Sequence, residues 1–300
     1  MNRLFFAAAT AVAVFSASAQ ADDAYNARVD DHAPIGVMGD HFHKKGEYMA
    51  SLRAMFMEMG SPLNTAAGPQ SMSKAMYMAG MMYAPSDKVT FAASLKYVDS
   101  EMDMLMMGRE MESGADDIGD AGFSAIIPIY KHHDRRLLVR LGASIPIGTT
   151  DKLDSAGSRL GLGLQSGTGS WGFTPSVTYS QFLDGWSYGV QANARIWLDD
   201  NQFGERVGDT LGLTSWAAVQ VSDSISVSSR LAYSEAGATT GIMMPSMGDA
   251  RQTFTGYAGI NTLVKGHRFA VEAGVPLWQD QGLNTLKSKF SLMLGWQKAF

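Results

Sequence analysis

The sequence contains no cysteine, few charged side chains and, after its first 21 residues, no long uncharged apolar run. Without cysteine, a disulfide scaffold, a Cys-ligated zinc site and a thiol nucleophile are excluded. Charged residues make up 18% of the chain, whereas an average soluble domain has about 25%. The formal net charge is −5, and nucleic acid is therefore not expected as a partner, because binding phosphates requires clustered Lys and Arg.

The N-terminus has the features of a secretory signal peptide. Arg3 supplies a positive charge, residues 4–15 are apolar and uncharged, and the small residues 16–21 offer two A-x-A cleavage sites. The apolar stretch is shorter than the ~20 residues that a spanning helix needs. We therefore predict that residues 1–21 are removed after Sec-type export and that the mature chain is not a helical membrane protein.

Most of the remaining chain alternates apolar and polar residues with a period of two. In residues 136–145 every odd position is apolar, and the even positions include two arginines, a glycine and a serine. Such alternation is typical of strands with one apolar and one polar face. Twelve segments of this kind are predicted as strands: 47–59, 72–83, 88–103, 119–130, 135–147, 170–181, 185–198, 210–221, 224–236, 251–264, 267–278 and 286–300.

The strand lengths and connections favour a transmembrane β-barrel. Segments of about 11 to 15 residues exceed the 5–6 residues of an ordinary strand and suit a tilted strand that crosses a bilayer. Tight turns alternate with long links, and an even number of strands with this alternation is typical of barrels with periplasmic turns and extracellular loops. The long links are residues 60–71, 104–118, 148–169, 199–209, 237–250 and 279–285.

We therefore predict an all-β protein with a single antiparallel up-and-down barrel over residues 47–300. The polar residues 22–46 precede it and begin in the periplasm. This segment is a flexible tail, a plug in the barrel lumen, or an arm that captures metal. A plug is attractive because the acids Asp30, Asp31 and Asp40 would neutralise a basic barrel wall.

The C-terminal strand indicates the compartment. One face carries Phe290, Leu292, Leu294 and Trp296, and the chain ends on Phe300. Outer-membrane barrels that the barrel assembly machinery recognises typically end in this way, so we expect the bacterial outer membrane as the location and that machinery as a partner during biogenesis. Outer-membrane lipid and lipopolysaccharide would surround the barrel, whose acidic loops can hold divalent ions that bridge lipopolysaccharide phosphates.

Six short stretches carry a family resemblance. They are HAPIGVMGDHFHKKGE at 32–47, MYAPSD at 82–87, IPIG at 145–148, GTGSW at 167–171, KGHR at 265–268 and LGWQ at 294–297. They resemble a family of outer-membrane transporters that is labelled "meta-pathway of phenol degradation", and the resemblance extends over nearly all of the mature chain. The resemblance implies a barrel and a channel for hydrophobic small molecules, and it supplies no catalytic residues.

The residues that face the barrel lumen follow from the alternation, because the side chain changes face at every residue. With the apolar set turned to lipid, the interior is basic and contains one acid within the strands. These cations either line a narrow path for a small-molecule solute or simply fill and solvate the lumen. The predicted lumen-lining residues are Arg53, Lys74, Lys96, Arg136, Arg140, Arg195, Arg230 and Glu272.

Methionine is concentrated in one part of the chain. Of the 20 methionines, 14 lie between Met49 and Met111. Several recur at a spacing of two, which puts their thioethers on one side of a strand. The predicted lumen-facing set near the extracellular mouth is Met55, Met57, Met59, Met76, Met78, Met102, Met104 and Met106.

Three interpretations of the methionine patch stay open. The side chains fill irregular space, or they form an adaptable apolar surface for aromatic or aliphatic solutes. Alternatively, thioethers are soft ligands that select Cu(I) or Ag(I). In that case His41 and His43, with His32 and Met38, would supply a second, periplasmic site.

Catalysis is not expected. An enzyme would need a nucleophile with a histidine and an acid within hydrogen-bond reach. The sequence has no G-x-S-x-G motif, and its histidines precede the first strand or lie at turns. We assign no catalytic residue and no cofactor other than the Cu(I) or Ag(I) considered above. The favoured function is a channel or transporter for small hydrophobic or aromatic solutes, the alternatives being a soft-metal-handling barrel and an outer-membrane enzyme or structural barrel.

Overall fold

The computed structural model describes residues 28–61, 68–106, 108–242, 249–282 and 286–300, with the side chain of Met106 left out. The predicted signal peptide lies outside the described residues. The strands are β1 Tyr48–Gly60, β2 Gly68–Ser86, β3 Val89–Met106, β4 Arg109–Ile118, β5 Ala121–His132, β6 Arg135–Ile145, β7 Gly172–Phe173, β8 Ser176–Leu183, β9 Trp186–Trp197, β10 Thr210–Ser222, β11 Ile225–Ala236, β12 Arg251–Val264, β13 His267–Gln281 and β14 Lys287–Ala299.

These segments form one closed antiparallel barrel. β4 and β5 are consecutive segments that both pair with β3, and β7 and β8 both lie between β6 and β9. The fourteen segments therefore make up twelve barrel strands. The barrel closes where β14 pairs with β1, with Met293 opposite Met55. The predicted twelve-stranded, all-β barrel is confirmed.

Alternation along each strand separates an apolar outer surface from a polar interior. On β13, Phe269, Val271 and Val275 are exposed, whereas Arg268 and Glu272 on the opposite face are buried. Because side chains change face at every residue, a register slip of one position would turn the arginine and the glutamate outward. The register of the barrel is therefore fixed by this polar–apolar pattern.

The two ends of the barrel differ in their connections. At one end the strands are joined by tight turns, such as Lys265–Gly266 between the paired residues Val264 and His267. Both turn residues have positive φ, 50° and 75°, which matches the twist of a two-residue hairpin. We call this the turn end and the opposite end, where the longer links lie, the loop end. In the described residues no helix is long and apolar enough to cross a membrane.

Residues 104–118 connect two barrel strands as predicted, but they contain strand structure that was not expected. β3 continues to Met106, and β4 returns along it with Arg109 opposite Met106 and Ile118 opposite Tyr97. β4 pairs with β3 and with no other strand among the described residues. Most side chains of β4 are exposed. Because most of its side chains meet water and only Ala115 is buried, β4 has no continuous apolar face, so the pattern used to find the other strands is absent here.

The link between β6 and β7, residues 146–171, folds into the loop end of the barrel. Its short 3-10 helix, Leu162–Leu164, contributes Leu164 to a buried apolar cluster with Leu160, Met102 and Ala115. Met102 and Ala115 belong to β3 and β4. This link, which we call the inner loop, thus narrows the barrel rather than extending away from it.

Candidate functional site

We call residues 28–47 the N-terminal segment. Residues 28–43 lie inside the barrel, and residues 44–47 form the partly exposed turn that leads into β1. At the turn end, the guanidinium of Arg268 donates to the backbone carbonyl of Val29. The guanidinium of Arg136 donates to both the carbonyl and the carboxylate of Asp31, forming a buried ion pair. These contacts attach the start of the segment to opposite parts of the wall, because β6 and β13 are not neighbours in the barrel.

The segment reaches its deepest point around Gly36. The backbone N–H of Gly36 donates to Oε2 of Glu272 at 3.1 Å. Glu272 also accepts two hydrogen bonds of 2.8 Å from Arg230, and both side chains are buried. Nearby, Arg53 donates to the carbonyl of Ile35 at 2.9 Å. Charged side chains of the wall therefore satisfy backbone groups that would otherwise be buried without partners.

The fit between the segment and the wall depends on glycine. A Cβ on Gly36 would lie 2.5 Å from Oε2 of Glu272 and 2.8 Å from Cζ of Arg230. On the wall, a Cβ on Gly295 would collide with the Ile35 side chain. Because neither position has room for a methyl group, the N-terminal segment and the wall are complementary at close range.

The predicted lumen residues divide into two groups. Arg53, Arg136 and Glu272 bind the N-terminal segment directly. Arg230 acts through Glu272, to which it donates two hydrogen bonds. The remaining four do not contact acids: Lys74 donates to the carbonyl of Gly163 in the inner loop at 3.3 Å, and Arg140 donates to Oγ1 of Thr174 at 3.2 Å. Within the described part of the chain, no ion pair is formed by Lys74, Lys96, Arg140 or Arg195.

Sequence reasoning missed several wall residues that hold the segment, among them Arg268, Gln191, Ser187 and Gln220. Arg268 lies four positions before Glu272 on the same face of β13 and was detectable by the same alternation. Gln191 on β9 donates to the carbonyl of Met38 at 2.9 Å. It was missed because only charged residues were considered, although a neutral amide binds a backbone carbonyl equally well.

The methionine patch lies on neighbouring strands, with apolar and cationic neighbours. Met55 is opposite Met76, which brings two of the predicted thioether side chains together. Met57 is opposite Lys74, and Met78 is opposite both Arg53 and Lys96. Lysine and arginine beside a thioether oppose the binding of a metal cation, because like charges repel.

The other predicted methionines differ in their surroundings. Met102 is buried in the apolar cluster, and Met104 packs against its edge. Met59 is opposite Met72 on β2. The side chain of Met106 lies outside the described part of the structure. The inner loop therefore covers part of the patch with the carbon atoms of Leu160 and Leu164.

Five of the six histidines line one cavity at the turn end. Its volume is about 290 Å³, and its lining includes His32, His41, His43, His132 and His133. Burial, with help from the neighbouring His41, holds the pKa of His32 well below its usual range. Burial also lowers the pKa of His43. Both imidazoles are accordingly neutral near neutral pH.

A bidentate ion pair joins the inner loop to the link between β9 and β10, residues 198–209. Arg159 donates to both carboxylate oxygens of Glu205 at 2.8 Å and to the carbonyl of Thr150 at 2.7 Å. Asn201 also donates to Glu205, at 2.9 Å. The guanidinium of Arg159 lies 3.7 Å from the ring centroid of Phe203. Bidentate pairing of this kind fixes geometry as well as adding energy.

Comparisons with known proteins identify the fold. No protein-family model and no curated protein matches the chain. The crystal structure of the COG4313 outer membrane channel from Pseudomonas putida F1 matches with a TM-score of 0.66 and 13% identity, covering 87% of this chain and 98% of that chain. The β domain of the Bordetella autotransporter BrkA matches with a TM-score of 0.51 and 13% identity, covering 85% and 100% of the two chains.

The class defined by this architecture is the outer-membrane type of closed β-barrel. Because the sequence identity is only 13%, these similarities support the assignment of the fold and no statement about function. The resemblance described above is supported as far as the barrel is concerned. Its label, the meta-pathway of phenol degradation, stays a prediction because no family model matches the chain.

Proposed function

We propose that the protein is an outer-membrane channel for small solutes. The observation that carries this proposal is the set of lumen cations without ion-pair partners among the described residues, Lys96, Arg140 and Arg195. A charge that is neither paired nor hydrated is too costly to keep inside a protein, so water must reach these side chains. A hydrated interior is what a channel requires and what a purely structural barrel can do without.

The outer surface supports a membrane location. Exposed aliphatic and aromatic side chains cover the outward face of the strands, for example Leu211, Leu213, Val271 and Val275. Closed barrels cross membranes because every backbone polar group is paired within the sheet. We place the turn end in the periplasm and the loop end outside the cell, with outer-membrane lipid and lipopolysaccharide around the barrel and the barrel assembly machinery acting during its insertion.

Two obstructions would control passage in this channel. The N-terminal segment acts as a plug at the periplasmic side, seated on Glu272 through Gly36. The inner loop narrows the extracellular side, where Leu160 and Leu164 pack against Met102. A channel narrowed from both sides suits solutes of small size, and displacement of either element should widen the path.

The wall indicates the chemistry of the solute. Methionines on β1, β2 and β3 offer an adaptable apolar surface that suits an aromatic or aliphatic body. Lys96 and Arg195, which form no ion pair with the described residues, add a preference for negative charge. We propose small hydrophobic or aromatic solutes, favoured further when they carry a carboxylate. Transport of Cu(I) or Ag(I) along the methionines is less well supported, because Lys74 and Arg53 lie beside them.

Solute flux in proteoliposomes tests this function. The mature protein is reconstituted into liposomes, and the uptake of benzoate is compared with that of benzylamine, which has the same ring and the opposite charge. Faster benzoate flux, reduced in a Lys96→Gln/Arg195→Gln variant, is the expected result. Arg109→Gln serves as the control, since this exposed residue on β4 is in no described ion pair. Flux of both solutes equal to that of empty liposomes would reject the channel, and faster benzylamine flux would reject the solute class.

A further inference from the structure

Two histidines of the N-terminal segment are each oriented by a carboxylate. Nδ1 of His41 lies 2.9 Å from Oδ1 of Asp40, and Nδ1 of His43 lies 3.4 Å from Oε2 of Glu47. Asp40 is itself fixed, because its other oxygen accepts from the backbone N–H of Ala33 at 2.7 Å. A carboxylate at Nδ1 keeps the proton on that nitrogen and leaves the lone pair on Nε2.

The Nε2 atoms of His41 and His43 have no hydrogen-bond partner among the described residues. Both atoms are buried. The side chains of His41 and His43 are 5% and 6% exposed. A buried ring nitrogen without a partner is unusual in a folded protein and needs an explanation, such as an ion or a water molecule.

A third histidine completes the group. The ring centroid of His41 lies 4.0 Å from that of His32 and 5.4 Å from that of His43. Ligand atoms of His32, Asp40 and His41 all lie within 4.8 Å of one another. His43 lies outside that group and adjoins it through its ring contact with His41. All three histidines line the cavity of about 290 Å³ at the turn end, which leaves room for an ion and its water ligands. The lining also contains Lys44, Lys131 and Arg136, but Arg136 is paired with Asp31, and the carboxylates of Asp40 and Glu47 lie next to the imidazoles.

We propose that His32, His41 and His43 form a binding site for a divalent transition-metal ion such as Zn²⁺. Imidazole suits zinc, nickel and copper ions, and three histidines plus water complete a tetrahedral site. Asp40 and Glu47 are positioning residues that hold the two imidazoles from behind. This set is distinct from the methionine patch, which offers thioethers and lies near the loop end.

A bound ion would join distant parts of the N-terminal segment. The ligands are separated by up to 11 positions, from His32 to His43, and the chain between them contains Gly36 at the deepest point of the segment. An ion that binds only this arrangement stabilises it by mass action. Metal binding itself does not depend on the protein being a channel, so the two proposals can fail separately.

Titration of the full mature chain tests the site. The protein is prepared without a histidine tag, treated with a chelator in detergent and titrated with Zn²⁺ in a calorimeter, with Co²⁺ absorption as a second report on coordination. We expect one equivalent of Zn²⁺ per chain. His41→Ala and His43→Ala should each weaken binding at least tenfold, and Asp40→Asn should weaken it by about 10- to 100-fold, as is usual for carboxylates behind a ligand histidine.

Control variants locate the binding. His267 lies outside the cavity and accepts a hydrogen bond of 3.0 Å from the Trp296 indole. The His267→Ala variant should therefore bind Zn²⁺ like the wild type. A His132→Ala/His133→Ala variant removes the two cavity histidines that belong to the barrel and should also retain binding. Circular dichroism and the heat-dependent gel shift of a barrel establish that each variant is folded. The proposal is overturned by absence of stoichiometric binding, by equal binding to the His41→Ala variant, or by loss of binding only in the His132/His133 variant.

Discussion

The guanidinium of Arg230 and the carboxylate of Glu272 face each other inside the barrel through two hydrogen bonds of 2.8 Å, although β12 lies between their strands. Oε2 of Glu272 also accepts from the backbone N–H of Gly36. One buried ion pair therefore belongs to the barrel wall and to the seat of the N-terminal segment at once.

Removing one partner of this pair should destabilise the barrel. Arg230→Met leaves Glu272 buried without its cation, and breaking a buried pair in this way costs about 3–5 kcal/mol. Urea or thermal unfolding in detergent, followed by circular dichroism, measures the change. The double variant Arg230→Met/Glu272→Leu should be more stable than the single variant, because no uncompensated charge remains. A single variant as stable as the wild type would contradict a buried, coupled pair.

The seat of the N-terminal segment should be sensitive to one added side chain at Gly36. Gly36→Val places carbon within 2.5–2.8 Å of Glu272 and Arg230, so the segment must leave its position. Since the chain has no cysteine, a Val37→Cys variant gives a clean probe at a residue that is 2% exposed. Maleimide should label the introduced thiol slowly in this variant and many times faster when Gly36→Val is added.

The control for this experiment is Gly161→Ala, combined with the same Val37→Cys probe. It adds a methyl group in the inner loop, where no atom lies within 4 Å of the new Cβ. Labelling of the introduced thiol should then stay slow. Equal labelling rates with and without Gly36→Val would show that the segment is not held as described.

Alternation in the sequence predicts the barrel well and the segment poorly, for physical reasons. Strands such as β13 meet lipid on one face and a polar interior on the other, so apolar and polar residues alternate along their sequence. The N-terminal segment has no regular period. Its ion pair between Asp31 and Arg136 joins residues 105 positions apart, and only the closed barrel brings them together.

The histidine cavity shows the same limit. The spacing of His41 and His43 pointed to a shared site. The sequence could not place His132 and His133 beside them, because His132 ends β5 and His133 follows it, far along the chain from His41, and only the folded barrel brings them together. The inward course of the inner loop was also missed. Nothing in the sequence around Leu160 and Leu164 indicates that these side chains pack against Met102.

The tie between Arg159 and Glu205 should hold over most of the pH range. Hydrogen bonds from Arg159 lower the pKa of Glu205 below its ordinary value of 4.5. A carboxylate with a depressed pKa stabilises the folded arrangement above its ordinary pKa, and this stabilisation is lost as the pH falls through the depressed value. Proteolysis of the inner loop by an acid protease should therefore be slow at pH 5 and should accelerate only well below pH 4.5.

The Arg159→Ala variant checks the cause of that behaviour. Without the guanidinium, the loop should be cleaved readily at pH 5, and its cleavage should lose most of its dependence on pH. Arg109→Ala removes an exposed arginine from β4 and should leave the wild-type profile unchanged. The same pH profile in Arg159→Ala and the wild type would show that another contact fastens the loop.

Charge on the lumen wall should set the ion preference. In a water-like medium, two unit charges at close range interact by ~1 kcal/mol, which corresponds to about a fivefold change in partitioning. Arg195→Gln should therefore reduce the permeability ratio of chloride to potassium by about that factor, and adding Lys96→Gln should reduce it further. The reversal potential in a salt gradient across a planar bilayer measures the ratio. The same potential in the variants and the wild type would show that these side chains do not lie along the ion path.

Single-channel conductance of the wild type and of a Gly36→Val/Arg159→Ala variant in planar bilayers tests the central claim most directly. The variant displaces the N-terminal segment and unfastens the inner loop. A barrel narrowed by these two elements should give small conductance steps in the wild type and clearly larger steps in the variant. Steps of equal size in both proteins, or no conductance in either, would contradict the account.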